Sequence, residues 1–293
     1  MSEITVAKTS GFCFGVNRAV ETVNNLLKEG KKVCTLGEII HNPHVINDFE
    51  KRGVKVVNSP SETPAGYTLV IRSHGCLKED MEFIRENGID FVDATCPFVK
   101  KIHKIVEANK NNSQILLAAG SADHPEMIGI RSYFSNKSYV LSSKNDLQEL
   151  IKNDVISNQD SITMISQTTF SKKEWKDCIK LVSEGFTNIT IHDTICNTTN
   201  SRQEEAEKLS KTSDLMIVVG GQKSSNTRKL YEICKKNTET ILVESVENLP
   251  DINYLKYTKI GIIAGASTPM SLVEQIKTFL EGIFDGSEKR KHK

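Results

Sequence analysis

ITIHDTIC, residues 189–196, is a short β-branched run that ends in a cysteine, and IDFVDATC at 89–96 repeats its close: Asp, two residues that include a Thr, then Cys. ITVAKTSGFC at 4–13 is a third run of the same kind. An amphipathic helical stretch follows each cysteine, Val16 to Glu29 after Cys13, Phe98 to Asn109 after Cys96 and Ser201 to Lys211 after Cys196. Next comes an apolar strand that ends in glycine, at Gly37, Gly120 and Gly220, in each case 24 residues beyond the cysteine. Second strands follow at VKVVNS (54–59), SYVLSS (138–143) and TILVES (240–245), and third strands at TLVIRSHG (68–75), ITMISQTT (162–169) and IGIIAGAST (260–268).

Strands alternating with helices, the strands apolar and β-branched, predict an α/β fold with mainly parallel sheets. In such sheets ligands bind beyond the carboxyl ends of the strands, so each unit should aim its loops at a site. The third unit lacks a strand after its last helix, Pro269 to Gly282, and the opening strand, Ile4 to Ala7, is expected to supply it. The expectation is three pseudo-repeated α/β units in a three-lobed ring with the three cysteines near its axis. The boundaries are 13–96, 97–195 and 196–282 plus 1–12, and 283–293 is left as a basic, solvated tail.

Composition narrows the function. The chain has 293 residues, 38 Lys plus Arg against 37 Asp plus Glu and a net charge of +1, which argues against a surface built to coat nucleic acid. At 38% hydrophobic and 26% charged it falls outside the disordered and collagen-like classes. No run approaches the roughly 18 apolar residues of a membrane span, and MSEITVAK has no apolar leader core. The expectation is a cytoplasmic protein with no membrane or nucleic-acid partner. Seven cysteines, an odd number, suggest reduced thiols, and the absence of any CxxC pair removes zinc ribbons and thioredoxin-like redox motifs.

The strand-end loops carry polar residues that a core would not gather: His41 in GEIIHNP, His74 in RSHG, and His124 and Glu126 in AAGSADHPE. SQTTF adds Thr168 and Thr169, GGQKSSNT adds Ser224, Ser225 and Asn226, and GAST adds Ser267. Each group precedes a predicted helix start, with Pro125 and Pro269 suited to first turns, and free N–H groups there favour an anion. Hydroxyls, an amide and histidines make a phosphate or diphosphate pocket without a P-loop. Taken singly, each Ser or Thr reads equally well as a helix cap.

Cys13, Cys96 and Cys196 each precede a helix, a position that favours the thiolate and hence metal binding. Three thiolates would hold an iron–sulfur cubane with one iron left open, whereas a three-ligand zinc site is the competing reading. Cys34, Cys178 and Cys234 read as small buried hydrophobes, and Cys76 falls in a strand-end loop. His44 and His103 fall in predicted helices, His192 in a strand and His292 in the tail, where packing or solvent accounts for them.

GFCFGVNRA, GEIIHNP, SHG, DATCP, HPE, QTT, DTICNTT, GGQKSSNT and GAST, nine motifs in order, resemble the 4-hydroxy-3-methylbut-2-enyl diphosphate reductase family from Cys13 to about Ser267. The resemblance implies a three-lobed α/β fold around a [4Fe-4S] cluster held by Cys13, Cys96 and Cys196. It implies a diphosphate pocket of His41, His74, His124, Thr168, Ser224, Ser225, Asn226 and Ser267, and proton delivery by Glu126 assisted by Thr168. The expected activity is reductive loss of an allylic hydroxyl as water, with ferredoxin or flavodoxin as electron donor. A zinc hydrolase of a phosphorylated substrate and a non-enzymatic iron–sulfur regulator are the alternatives.

Overall fold

The first strand, β1 (Glu3–Val6), leads into α1 (Phe14–Lys28) in a computed structural model that describes residues 3–291, with side chains as far as Asp285. There follow β2 (Lys32–Leu36), α2 (Pro43–Lys51), β3 (Lys55–Val57), β4 (Tyr67–Ile71), α3 (Lys78–Glu86) and β5 (Phe91–Asp93). The next stretch holds α4 (Pro97–Asn109), β6 (Ile115–Ala119), α5 (Pro125–Ser132), β7 (Lys137–Leu141), α6 (Lys144–Lys152), β8 (Ile162–Ser166), α7 (Lys172–Gly185) and β9 (Ile189–Ile191). The last holds α8 (Asn197–Ser210), β10 (Leu215–Val219), α9 (Ser225–Lys235), β11 (Glu239–Val243), β12 (Lys259–Ala264) and α10 (Met270–Lys291).

The strands form three four-stranded parallel sheets in one repeated order: β3-β2-β4-β5, β7-β6-β8-β9 and β11-β10-β12-β1. The opening strand fills the third sheet as expected, with Glu3 opposite Lys259 and Val6 opposite Ile262. By spatial compactness the chain divides into two units. One comprises Met1–Val16, His41–Val45 and Asn197–Lys293 and holds the third sheet; the other comprises Asn17–Ile40 and Ile46–Cys196 and holds the first two.

ILLAA and LMIVV read as unbroken apolar runs because both faces of their sheets are covered. In β6, Ile115, Leu117 and Ala119 pack with Leu147 of α6 and Trp175 and Val182 of α7, while Leu116 and Ala118 turn to Ile102 and Val106 of α4 and Met127 and Ile130 of α5. In β10, Leu215, Ile217 and Val219 pack with Val273, Ile276 and Leu280 of α10, and Met216 and Val218 with Ala206 of α8 and Leu230 of α9. Each such fully buried aliphatic side chain stabilises the fold by about 1.5–3 kcal/mol on transfer grounds.

Several boundaries differ from the sequence reading. The third post-cysteine helix starts at Asn197 rather than Ser201, because the polar NTTN segment reads as loop although Thr199 is buried in the fold. The last helix passes Gly282 and reaches Lys291, so most of the expected tail is helical backbone; a helical glycine costs only about 1 kcal/mol. His292 and Lys293, the end of that tail, lie outside the described residues. His192 sits one residue past β9, its N–H still donating to the Met164 carbonyl at 2.8 Å. Among the described residues no helix is long and apolar enough to cross a membrane.

Candidate functional site

Each of the three repeated cysteines is the residue immediately before a helix: Cys13 before α1, Cys96 before α4, Cys196 before α8. Their backbone anchorage also repeats. The Cys13 N–H donates to Ala266 at 3.1 Å, that of Cys96 to Ser73 at 3.0 Å and that of Cys196 to Thr168 at 3.0 Å. Every acceptor lies two residues past the end of its unit's third strand, β12, β4 or β8. The Asp of the repeated motif shapes its own loop. Asp93 Oδ1 accepts the Thr95 N–H at 2.9 Å and Asp193 Oδ1 the Ile195 N–H at 3.4 Å, two residues on in both cases.

The thiols divide into two groups. Cys13, Cys96 and Cys196 are partly exposed, whereas Cys34, Cys76, Cys178 and Cys234 are buried. Burial pushes the Cys76 and Cys234 thiols up to about 12 and that of Cys178 up to about 11, and raises Cys34. Those four remain protonated and inert. Partly exposed thiols at helix starts have the donor chemistry that a thiolate-held metal group requires.

In the unit carrying the first two sheets, Glu126 stands at the first turn of α5 with only 2% of its surface exposed. Its Oε1 accepts the Thr168 N–H and its Oε2 the Thr168 hydroxyl, both at 2.7 Å. Burial pushes the carboxyl above its ordinary range, against the pull of those two hydrogen bonds. His124 caps α5: its Nδ1 accepts the Glu126 N–H at 3.1 Å, so in the neutral ring Nε2 carries the proton. The His74 ring stands perpendicular to that of His124, centroids 5.2 Å apart. Gln167 ties two of these loops together, accepting the Ser121 N–H at 3.1 Å and donating to the Thr169 hydroxyl at 3.0 Å. His103 packs inside, stacked on Tyr133, and burial holds it down at about 4.

In the other unit, the Ser267 hydroxyl donates to the His41 carbonyl at 3.2 Å. The sequence reading passed over Asn42, which binds this pair. Its Oδ1 accepts the His44 and Val45 N–H groups at the start of α2, and its Nδ2 donates to the Ser267 carbonyl at 2.9 Å. An Asn before a Pro at a helix start was the available signal. Ser224 caps α9 by accepting the Thr227 N–H at 3.3 Å, so its capping role holds. Asn226 is 3% exposed, and neither its Oδ1 nor its Nδ2 has a partner among the described residues. A buried amide with both polar atoms unsatisfied is costly unless a ligand meets it.

Gly220, the repeated glycine of this unit, has φ +147°, and a Cβ there would lie 2.6 Å from Thr268 Oγ1 and 2.7 Å from Thr227 Oγ1. Gly220→Ala is therefore expected to cost about 1–3 kcal/mol, measured by denaturant unfolding.

Known proteins resemble this chain in sequence and in fold. The family model described as LytB protein matches residues 4–281. A 4-hydroxy-3-methylbut-2-enyl diphosphate reductase of Thermoanaerobacter sp. (strain X514) is 38% identical over 294 residues, covering 98% of this chain and 100% of the relative. The protein of that name from Aquifex aeolicus (strain VF5) is 36% identical over 291 residues, covering 98% of each. A solved (E)-4-hydroxy-3-methyl-but-2-enyl diphosphate reductase, described as the terminal enzyme of the non-mevalonate pathway, superposes with a TM-score of 0.68 at 35% identity, covering 96% of this chain and 100% of its own. The corresponding reductase from Plasmodium falciparum superposes with a TM-score of 0.86 at 28% identity, covering 96% and 87%. These relatives bear the name of a reductase, and the zinc-hydrolase and regulator alternatives gain no support from them.

Proposed function

The chain belongs to the LytB protein family, and from that premise we propose that it reduces 4-hydroxy-3-methylbut-2-enyl diphosphate in isoprenoid biosynthesis. The allylic C–O bond breaks, a C–H bond forms, and two electrons and two protons are consumed as water leaves, giving isopentenyl and dimethylallyl diphosphate. The observation that carries this reading is the buried Glu126–Thr168 pair, a carboxyl that burial pushes above its ordinary range and that has no ion pair among the described residues.

Family membership implies a metal cofactor, and its ligands in this reading are Cys13, Cys96 and Cys196. A [4Fe-4S] cluster held there would supply electrons singly and an iron that no protein thiolate binds, able to act as a Lewis acid. The electrons come from an outside one-electron carrier such as ferredoxin or flavodoxin. Cysteines that are all free suit a reducing compartment, the cytoplasm.

Glu126 supplies a proton and Thr168 passes it. In the carboxylate form Glu126 accepts from the Thr168 hydroxyl; once protonated on Oε2 it donates to Thr168 Oγ1, whose own hydrogen is freed for the next acceptor. His41, His74, His124, Ser224, Ser225, Asn226 and Ser267 bind the diphosphate, with His124 Nε2–H and Asn226 Nδ2 as donors. Asn226→Leu should weaken binding of the substrate or inorganic diphosphate by about 1.5–3 kcal/mol, roughly 10- to 150-fold, read by calorimetry.

The decisive experiment is anaerobic turnover with a reduced dye and the hydroxylated allylic diphosphate, alongside iron and sulfide analysis. Reductant-dependent loss of the hydroxyl by an iron- and sulfide-containing protein is expected. Phosphate release by a zinc-loaded, iron-free protein without reductant would sink the proposal.

A further inference from the structure

The loops that lead into the cysteines are gripped by charged side chains from the helices that follow other cysteines. Arg202, on α8 six residues past Cys196, is 2% exposed. Its Nη2 donates to the Gly11 carbonyl at 2.6 Å and its Nη1 to the Ala264 carbonyl at 3.0 Å. Gly11 lies two residues before Cys13, and Ala264 two residues before Ala266, whose carbonyl accepts the Cys13 N–H. One planar fork therefore fixes both the segment that carries Cys13 and the strand end to which Cys13 is bound.

A turn further along α8, Glu205 accepts the Lys8 N–H at 2.7 Å and the Thr9 N–H and hydroxyl at 2.9 and 2.6 Å. The same segment is thus held by a donor and an acceptor from one helix.

Arg18, on α1 five residues past Cys13, does the equivalent for Cys96. Its Nη1 donates to the Thr95 carbonyl at 3.1 Å and its Nη2 to the Asp93 carbonyl at 3.2 Å. Lys100 completes this loop by pairing with Asp93 at 2.7 Å. The loop before Cys196 faces a cation as well: burial, then the charge of Lys101 on α4, holds His192 below its ordinary range. In chain order the helix after the first cysteine serves the second, the helix after the second lies by the third, and the helix after the third returns to the first.

Burying a guanidinium carries a large desolvation cost, and packing alone does not require one to hold a loop. A fork aimed at two carbonyls gives directional control that an apolar contact lacks.

We propose that Arg202 and Arg18 are positioning residues for metal-group retention, each setting the presentation of one particular cysteine, Cys13 by Arg202 and Cys96 by Arg18. The inference rests on the cysteine assignment of the proposed function. By analogy with other groups that orient metal ligands from behind, their loss should cost 10–100-fold in retention.

The test uses full-length protein in two states. In the anaerobically reconstituted protein, the rate of iron loss to a ferrous chelator is measured for wild type, Arg202→Leu and Arg18→Leu, and should rise roughly 10- to 100-fold in both variants. In the metal-free protein, alkylation at each cysteine is followed by mass spectrometry. Arg202→Leu should change the rate at Cys13 several-fold and leave Cys96 as in wild type, and Arg18→Leu should do the reverse.

Wild-type iron retention with unchanged alkylation in folded variants overturns the inference. So does an equal change at both cysteines in each variant, the mark of general loosening. Should Arg202→Leu fail to fold, Arg202→Lys, which keeps the cation but loses the fork, is read by the same criteria with Arg18→Leu. Failure of the underlying reading is separate: wild-type protein would take up no iron and sulfide, or Cys96→Ser would retain them in full.

Discussion

Glu126→Gln is expected to fold, to take up iron and to bind substrate, yet to lose about 10²–10⁴-fold in turnover, the range typical of a positioned general acid. The amide is a close mimic of the protonated acid. Its Oε1 can keep the Thr168 N–H, and its Nε2 can donate to Thr168 Oγ1, so both contacts of Glu126 survive in the direction the protonated form would use. What it cannot do is release a proton. Stability should move the opposite way. Burial raises the Glu126 pKa in the folded protein, so the contribution of this group is full below its unfolded pKa and is lost as pH rises through the folded value. The neutral amide escapes that loss, and the stability of Glu126→Gln relative to wild type should grow from acid to neutral pH in urea titrations. Near-normal turnover in a fully loaded Glu126→Gln protein would move the proton source elsewhere.

The second large effect belongs to the cysteines. Cys96→Ser should bring iron content close to background and lower turnover by more than roughly 100-fold, since changes behind the ligands alone cost 10–100-fold. The same is expected at Cys13 and Cys196. Cys34→Ala, Cys178→Ala and Cys234→Ala should keep iron and activity and lose about 1 kcal/mol of stability each, being thiols packed in apolar clusters. Iron and sulfide assays with an anaerobic visible spectrum distinguish the two groups. An intact, active cluster in Cys96→Ser would overturn the ligand assignment.

Much of this was legible in the chain because strands buried on both faces leave continuous apolar runs, and because a repeat multiplies a weak signal. ILLAA alone could be helix or strand; ILLAA, LMIVV and KVCTL at the same distance from a cysteine could not be read otherwise. His124, Glu126 and Thr168 were legible because their loops follow strand ends, and the fold brings them into contact. Arg202, Arg18 and Asn42 were not. Each acts by donating to a backbone carbonyl far away in the chain, Arg202 to Gly11 and Asn42 to Ser267, and a carbonyl has no identity in a sequence. The start of α8 was missed for a related reason: its first turn is polar, and only the fold shows that Thr199 and Arg202 point inward.

The pairing of β1 with β12 also bears on synthesis at the ribosome. Cys13 emerges among the first residues, but the carbonyl that anchors it belongs to Ala266, 253 positions later. At about 5–20 residues per second, that delay is on the order of 10–50 s. Through this interval the nascent chain can complete the sheets built from β2–β5 and β6–β9, while the opening strand waits without its neighbour. Cys13 would therefore gain its backbone anchor only after nearly the whole chain has been made. A product truncated before residue 259 would lack the β1 pairing partner and the Cys13 anchor, however well its first two sheets had folded.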